Sequence, residues 1–228
     1  MNPVSRRIRH GETMLALHAQ RGGDGPPLLL LHALGSSHTE WQPAPAWPGP
    51  VWALDFAGHG AADARAGGAY TPELCAADAD AALAEIGSTM PVVVAGRGLG
   101  AYVALLLAGG RPREVAAAVL LPGEGLAGGG EAPRFDDVND IDGTWARLAA
   151  RLRSALELRL GGDPRARALA EDARPSDYAA SFAAAATRVV LVEDEASPRP
   201  PWWCALRVLE RVGRAPDLAA ALGLLASD

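Results

Sequence analysis

The chain has 228 residues, 49% of them hydrophobic and 21% charged, which is enough apolar material for one domain with a sizeable core. A net charge of −6 argues against a nucleic-acid partner, and apolar runs such as residues 26–31 and 101–108 fall short of the roughly 18 to 20 residues that span a bilayer. All 21 basic residues are Arg, so Schiff-base chemistry through a lysine is excluded.

The N-terminal stretch through His10 is basic, but no apolar segment or small-residue cleavage site follows it, so a cytoplasmic protein is expected. Residues 4–9 and 13–19, joined by the turn-like His10-Gly11-Glu12, suit a hairpin. Residues 28–32, 51–55, 92–95, 115–121 and 188–192 are short aliphatic runs bounded by Gly and Pro, which suits buried strands. Helical spacing over 72–86, after the start signal Thr71-Pro72, and over 98–108 places helices between the later strands. The fold class is α/β, a mostly parallel sheet flanked by helices.

Residues 122–187 break this rhythm. A Gly-rich acidic loop leads into helical segments at 144–160, 164–172 and 177–186, which suits an inserted helical cap on a core made of 1–121 and 188–228. Residues 203–212 fit the strand and helix periods equally. Cys75 and Cys204 are expected to be reduced core thiols in a chain without a secretion signal.

Three strand-end motifs carry a family resemblance. Residues 28–41 end a strand in His32-Ala33-Leu34-Gly35-Ser36-Ser37; residues 55–60 read Asp-Phe-Ala-Gly-His-Gly; and residues 92–101 run through Gly96-Arg97-Gly98-Leu99-Gly100 into a helix. In this order they resemble the oxyanion loop, the Asp-x-x-Gly-His-Gly turn and the nucleophile elbow of the α/β-hydrolase superfamily. The resemblance implies that fold, with a small cap over the site.

It also exposes two losses. Gly98 stands where the elbow serine belongs, and all five histidines lie at or before His59, so none can occupy the last loop, where Asp217 or Pro216 falls instead. Only the acid survives, with Asp194 the best match and Glu195 the alternative. Gly98, Asp194 and Asp217 are thus the degenerate triad positions, and hydrolysis by the usual Ser-His-Asp route is not expected.

A shaped pocket remains. Backbone amides at the start of the helix after Gly98, together with the loop after the first parallel strand, suit a carbonyl or carboxylate, so Ala33, Leu34, Ser36, Arg97, Gly98 and Leu99 are the candidate ligand-binding residues. Loss of the serine side chain is expected to open space above the elbow. His32 and Asp194 are the candidate catalytic groups for proton transfer.

Each has a plainer alternative. Arg97 also suits a structural ion pair, His32 a structural hydrogen bond, Ser36 and Ser37 loop capping, His59 a turn, and Trp145, Trp202 and Trp203 packing. No metal and no cofactor are expected. The partner is a small molecule, and a homo-oligomer is compatible with the sequence.

Three functions follow from these residues. The first is a small, partly apolar carbonyl or carboxylate ligand bound beneath the cap, with lyase or cyclase chemistry. The second is a non-catalytic binding or regulatory pseudoenzyme. The third is a hydrolase with a relocated base.

Overall fold

The computed structural model describes residues 5–126, 163–170, 172, 174–193 and 199–226. Alternation within single strands splits the apolar residues between the two faces of one sheet. In β3 (Leu28–Leu31), Leu29 and Leu31 enter one core while Leu28 and Leu30 enter the other. The eight strands lie in the order β1-β2-β4-β3-β5-β6-β7-β8. The hairpin β1 (Ser5–His10) and β2 (Thr13–Arg21) is antiparallel, and β2 pairs antiparallel with β4 (Val51–Asp55). From β4 through β3, β5 (Val92–Arg97), β6 (Val115–Leu121), β7 (Val189–Val192) and β8 (Val212–Ala215), neighbouring strands are parallel. Near-continuous burial of β3, β5, β6 and β7 on both faces explains their Val, Leu and Ala runs.

Helix α1 (Pro72–Ile86) begins and ends on the signals in its sequence. The Thr71 side chain accepts from Leu74 N–H at 3.2 Å, Pro72 opens the first turn, and Gly87 closes the helix with φ 59°. Helix α2 (Leu99–Gly110) is buried along most of its length beneath α1. Gly100 lets it approach the sheet, because a Cβ there would meet the Leu31 carbonyl carbon at 2.6 Å.

On the opposite face, Pro43, Pro45, Pro48 and Pro50 rule out an α-helix over residues 43–50, ahead of β4. Trp41 and Trp47 cover the sheet there, with the Trp47 indole donating to Pro26 O at 2.5 Å, beside helix α5 (Leu218–Ala226).

Helix α3 (Ser176–Ala185) packs on α2, with Ala179 and Ala183 buried in the main core. Residues 164–170 form a 3-10 helix. The undecided segment 203–212 contains both kinds of element: helix α4 (Pro201–Arg207) covers its first part and β8 opens at its end. The expected helix at 144–160 and Trp145 lie outside the described residues. Cys75 is buried and Cys204 exposed, and both are free, so only the first is a core thiol. Among the described residues no helix is long and apolar enough to cross a membrane.

Candidate functional site

The elbow forms as its sequence suggests. Gly98 joins β5 to α2 at φ 54° and ψ −114°, so the next amide, Leu99 N–H, faces the carboxyl ends of the strands. That amide and Leu34 N–H, at the end of β3, are the pair that the family resemblance assigns to a developing oxyanion.

Both are already bonded. The main-chain carbonyl of Glu124 accepts from Leu99 N–H at 2.9 Å and from Leu34 N–H at 3.1 Å. The segment Pro122–Leu126 that follows β6 lies directly over Gly98. A Cβ at Gly98 would overlap the Glu124 carbonyl oxygen and stand 2.6 Å from Gly123 C. The space expected above the elbow is therefore filled by backbone.

Leu126 fixes the far end of this segment. Its N–H donates to Leu169 O at 2.8 Å, its carbonyl accepts from the Trp202 indole at 3.1 Å, and its side chain is buried. Leu126 is also the one non-glycine with positive φ among the described residues, at 54°. Such a conformation persists only where the surroundings over-determine it. Trp202 thus serves as an anchor for the segment, while the indole nitrogen of buried Trp203 has no hydrogen-bond partner among the described residues.

His32 is fully buried and engaged through both ring nitrogens. Nδ1–H donates to Ala33 O at 2.7 Å, and Nε2 accepts from Phe56 N–H at 3.2 Å. Burial, helped by His59 nearby, pushes its pKa down to about 3. The imidazole is therefore neutral at physiological pH, and in this arrangement it has no lone pair free to take a substrate proton, which departs from the expectation of a general base. His59 is likewise buried, bonds to Ala57 O at 3.1 Å, and has its pKa lowered mainly by burial.

Arg97 is held on two sides. Its Nε lies 3.1 Å from Glu40 Oε1, its Nη1 donates to Pro122 O at 3.2 Å, and its guanidinium sits over the Trp41 ring. The other carboxylate oxygen of Glu40 accepts from Ala33 N–H at 2.8 Å. Ser37 caps the short 3-10 helix His38–Trp41, while Ser36 donates its N–H to Ala33 O at 3.1 Å. Asp217 is exposed, and its Oδ1 accepts from Ala220 N–H at 2.8 Å at the start of α5, so the residue in the histidine's place is a helix cap. Asp194 and Glu195 lie outside the described residues.

Beside the elbow, a cavity of about 490 Å³ is bounded by Arg97, Gly98, Pro122, Arg199, Trp202 and Trp203. Sequence reasoning singled out four of these, and missed Glu40, Glu124 and Arg199. Glu40 stands in a recognisable loop motif, but the partner it selects, Arg97, is remote in sequence.

A second group of titratable residues surrounds Asp55, at the end of β4. Its buried carboxylate takes His18 Nε2 at 3.0 Å, His38 Nδ1 at 3.1 Å, His38 N–H at 2.6 Å and Ala61 N–H at 2.8 Å. Burial alone would raise the Asp55 pKa, but the His18 bond and the two backbone donors hold it well below the ordinary carboxylate range. The His18 and His38 rings stack with centroids 3.5 Å apart. Sequence reasoning expected no metal, yet His18, His38 and Asp55 offer ligand atoms all within 4.8 Å of one another.

The whole architecture has counterparts among solved structures. A thioesterase domain from the curacin biosynthetic pathway aligns with a TM-score of 0.69 at 19% identity, covering 100% of this chain and 98% of that one. An α/β hydrolase from Novosphingobium aromaticivorans DSM 12444 gives 0.67 at 20% identity, with coverage of 100% and 99%. The bottromycin epimerase BotH, in complex with bottromycin A2, gives 0.62 at 22% identity, with coverage of 100% and 96%. No curated protein matches the chain. The family model described as "Alpha/beta hydrolase family" matches residues 28–226, which include the β3 loop, the elbow and the last helix, and the chain therefore belongs to the α/β hydrolase family.

Proposed function

We propose that this α/β-hydrolase-family chain is a non-catalytic binding or regulatory protein in which the oxyanion hole is closed from within. The observation that carries this reading is the Glu124 carbonyl, held by both Leu34 N–H and Leu99 N–H. In a working hydrolase those two donors are aimed at the position where charge develops on a substrate oxygen, which must be open to that oxygen. Here they hold an uncharged acceptor of the chain itself, above a residue with no side chain to attack with.

The fold does not choose the chemistry, since a thioesterase domain and an epimerase share it. Lyase or cyclase turnover would need a proton carrier at the site, and the engaged nitrogens of His32 argue against it in that role. The ligand we propose is a small, partly apolar carboxylate in the cavity beside Gly98, with the guanidiniums of Arg97 and Arg199 at its polar side and Trp203 at its apolar side.

The test has two arms. The unmodified protein is assayed against activated esters and thioesters, and it is melted with increasing concentrations of small aromatic and aliphatic carboxylates. We expect no turnover, and a melting temperature that rises with ligand concentration in the unmodified protein but less in Arg199→Ala. Ester turnover that disappears in His32→Ala would overturn the non-catalytic reading, and a flat melting response would overturn the ligand assignment.

A further inference from the structure

We propose that His18, His38 and Asp55 form a binding site for a divalent transition-metal ion of the zinc, cobalt and nickel type. The site is separate from the elbow and independent of the ligand reading above.

The three donors come from three elements. His18 stands on β2, Asp55 ends β4, and His38 opens the 3-10 helix that follows the β3 loop. A four-coordinate ion bound at about 2.0 to 2.2 Å holds its nitrogen and oxygen ligands roughly 3.3 Å apart. Asp55 Oδ2 lies 3.0 Å from His18 Nε2 and 3.1 Å from His38 Nδ1, and all three ligand atoms fall within 4.8 Å of one another. Three protein ligands with one position left for water is an established pattern for such ions.

The surroundings suit the assignment. The His38 and Ala61 amides orient the carboxylate from behind, as outer-shell donors do in metal centres, and still leave lone pairs on both oxygens. The turn is moulded closely to the carboxylate, since a Cβ on Gly60 would lie 2.7 Å from Asp55 Oδ1. Exposure is graded, with side-chain values of 0% for Asp55, 7% for His18 and 19% for His38, so an ion would enter beside His38.

Two imidazoles and one carboxylate select borderline ions over magnesium or calcium, which favour all-oxygen sites. The near-parallel rings, 13° apart, require one adjustment. His38, the more exposed ring, must turn out of the stack so that its lone pair points at the ion, while His18 stays in place on its strand. Both rings bind as neutral imidazoles, each keeping its proton on the nitrogen remote from the ion. A bound ion would tie the loop that supplies Leu34 N–H to β2 and to the end of β4.

The experiment uses the tag-free full chain, stripped with chelator and titrated with Co²⁺, with Zn²⁺ added afterwards. We expect one equivalent of Co²⁺ to give the intense visible absorption of a four-coordinate centre, and Zn²⁺ to displace it and raise the melting temperature. His38→Ala, at the exposed edge where folding is least at risk, should weaken binding at least tenfold, as should His18→Gln; His10→Ala should not. Absence of the Co²⁺ spectrum, or a spectrum unchanged in His38→Ala or lost in His10→Ala, would overturn the assignment.

Discussion

The main-chain carbonyl of Glu124 lies 2.9 Å from the amide nitrogen of Leu99, and the same oxygen accepts from Leu34 at 3.1 Å. One backbone atom thereby satisfies two amides from two different strand ends.

Restoring the missing serine should not restore hydrolysis. In Gly98→Ser the new Cβ meets the backbone of Gly123 and Glu124, and the residue must adopt φ 54°. A cost of roughly 2 to 4 kcal/mol follows from overpacking plus backbone strain. Urea unfolding should report that loss, while ester assays stay at background; a variant as stable as the parent would mean that the Pro122–Leu126 segment yields easily.

Trp202→Phe keeps the ring but removes the indole donor to Leu126 O. A buried carbonyl left without its partner costs about 1 to 3 kcal/mol. Because that bond anchors the segment above Gly98, amide hydrogen exchange at Leu34 and Leu99 should accelerate more than exchange in the β1–β2 hairpin. Uniform acceleration would show that the anchor acts only on global stability.

Glu40→Ala removes the acceptor of Ala33 N–H and the ion partner of Arg97 together. Arg97 is over a third exposed, so the pair itself should contribute about 0.5 to 1 kcal/mol in a double-mutant cycle with Arg97→Ala. The single Glu40→Ala change should cost more than that coupling, because the buried Ala33 amide also loses its acceptor.

Acid should destabilise the fold through His32. Its folded-state pKa of about 3 lies below the ordinary value near 6.5, so between those limits the unfolded chain binds a proton that the folded chain refuses. Stability from this group is complete above pH 6.5 and falls as pH drops towards 3, at roughly 1.4 kcal/mol per pH unit. His59 acts in the same direction. Denaturant unfolding between pH 6.5 and 4 should show a slope shallower by about one proton in His32→Gln; an identical slope would mean that the ring is protonated inside the fold.

Much of the fold was legible because local signals and tertiary packing agree. Thr71-Pro72 and Gly87 bound α1 at both ends, and the aliphatic runs at 51–55 and 115–121 became β4 and β6 over the same residues. Residues 203–212 resisted a single period because a helix ends and a strand begins within them. The absence of serine and of a late histidine could be read from residue identities alone. The occupant of the amide pair could not, since it is a peptide carbonyl whose place depends on the path of Pro122–Leu126. The Asp55 cluster escaped for a related reason: His18 and His38 are separated in sequence by the β3 strand and stack only once the sheet has formed.

The acceptor above Gly98 belongs to the peptide backbone, so it survives any substitution of Glu124 itself. What keeps the two amides occupied is the contour length of the chain between β6 and Leu126. Single-residue changes at position 124 can alter charge near the cavity, but they leave the contact intact. Shortening that span by one residue would withdraw the carbonyl from both amides, so the closed state depends on the length of the segment and not on the identity of residue 124.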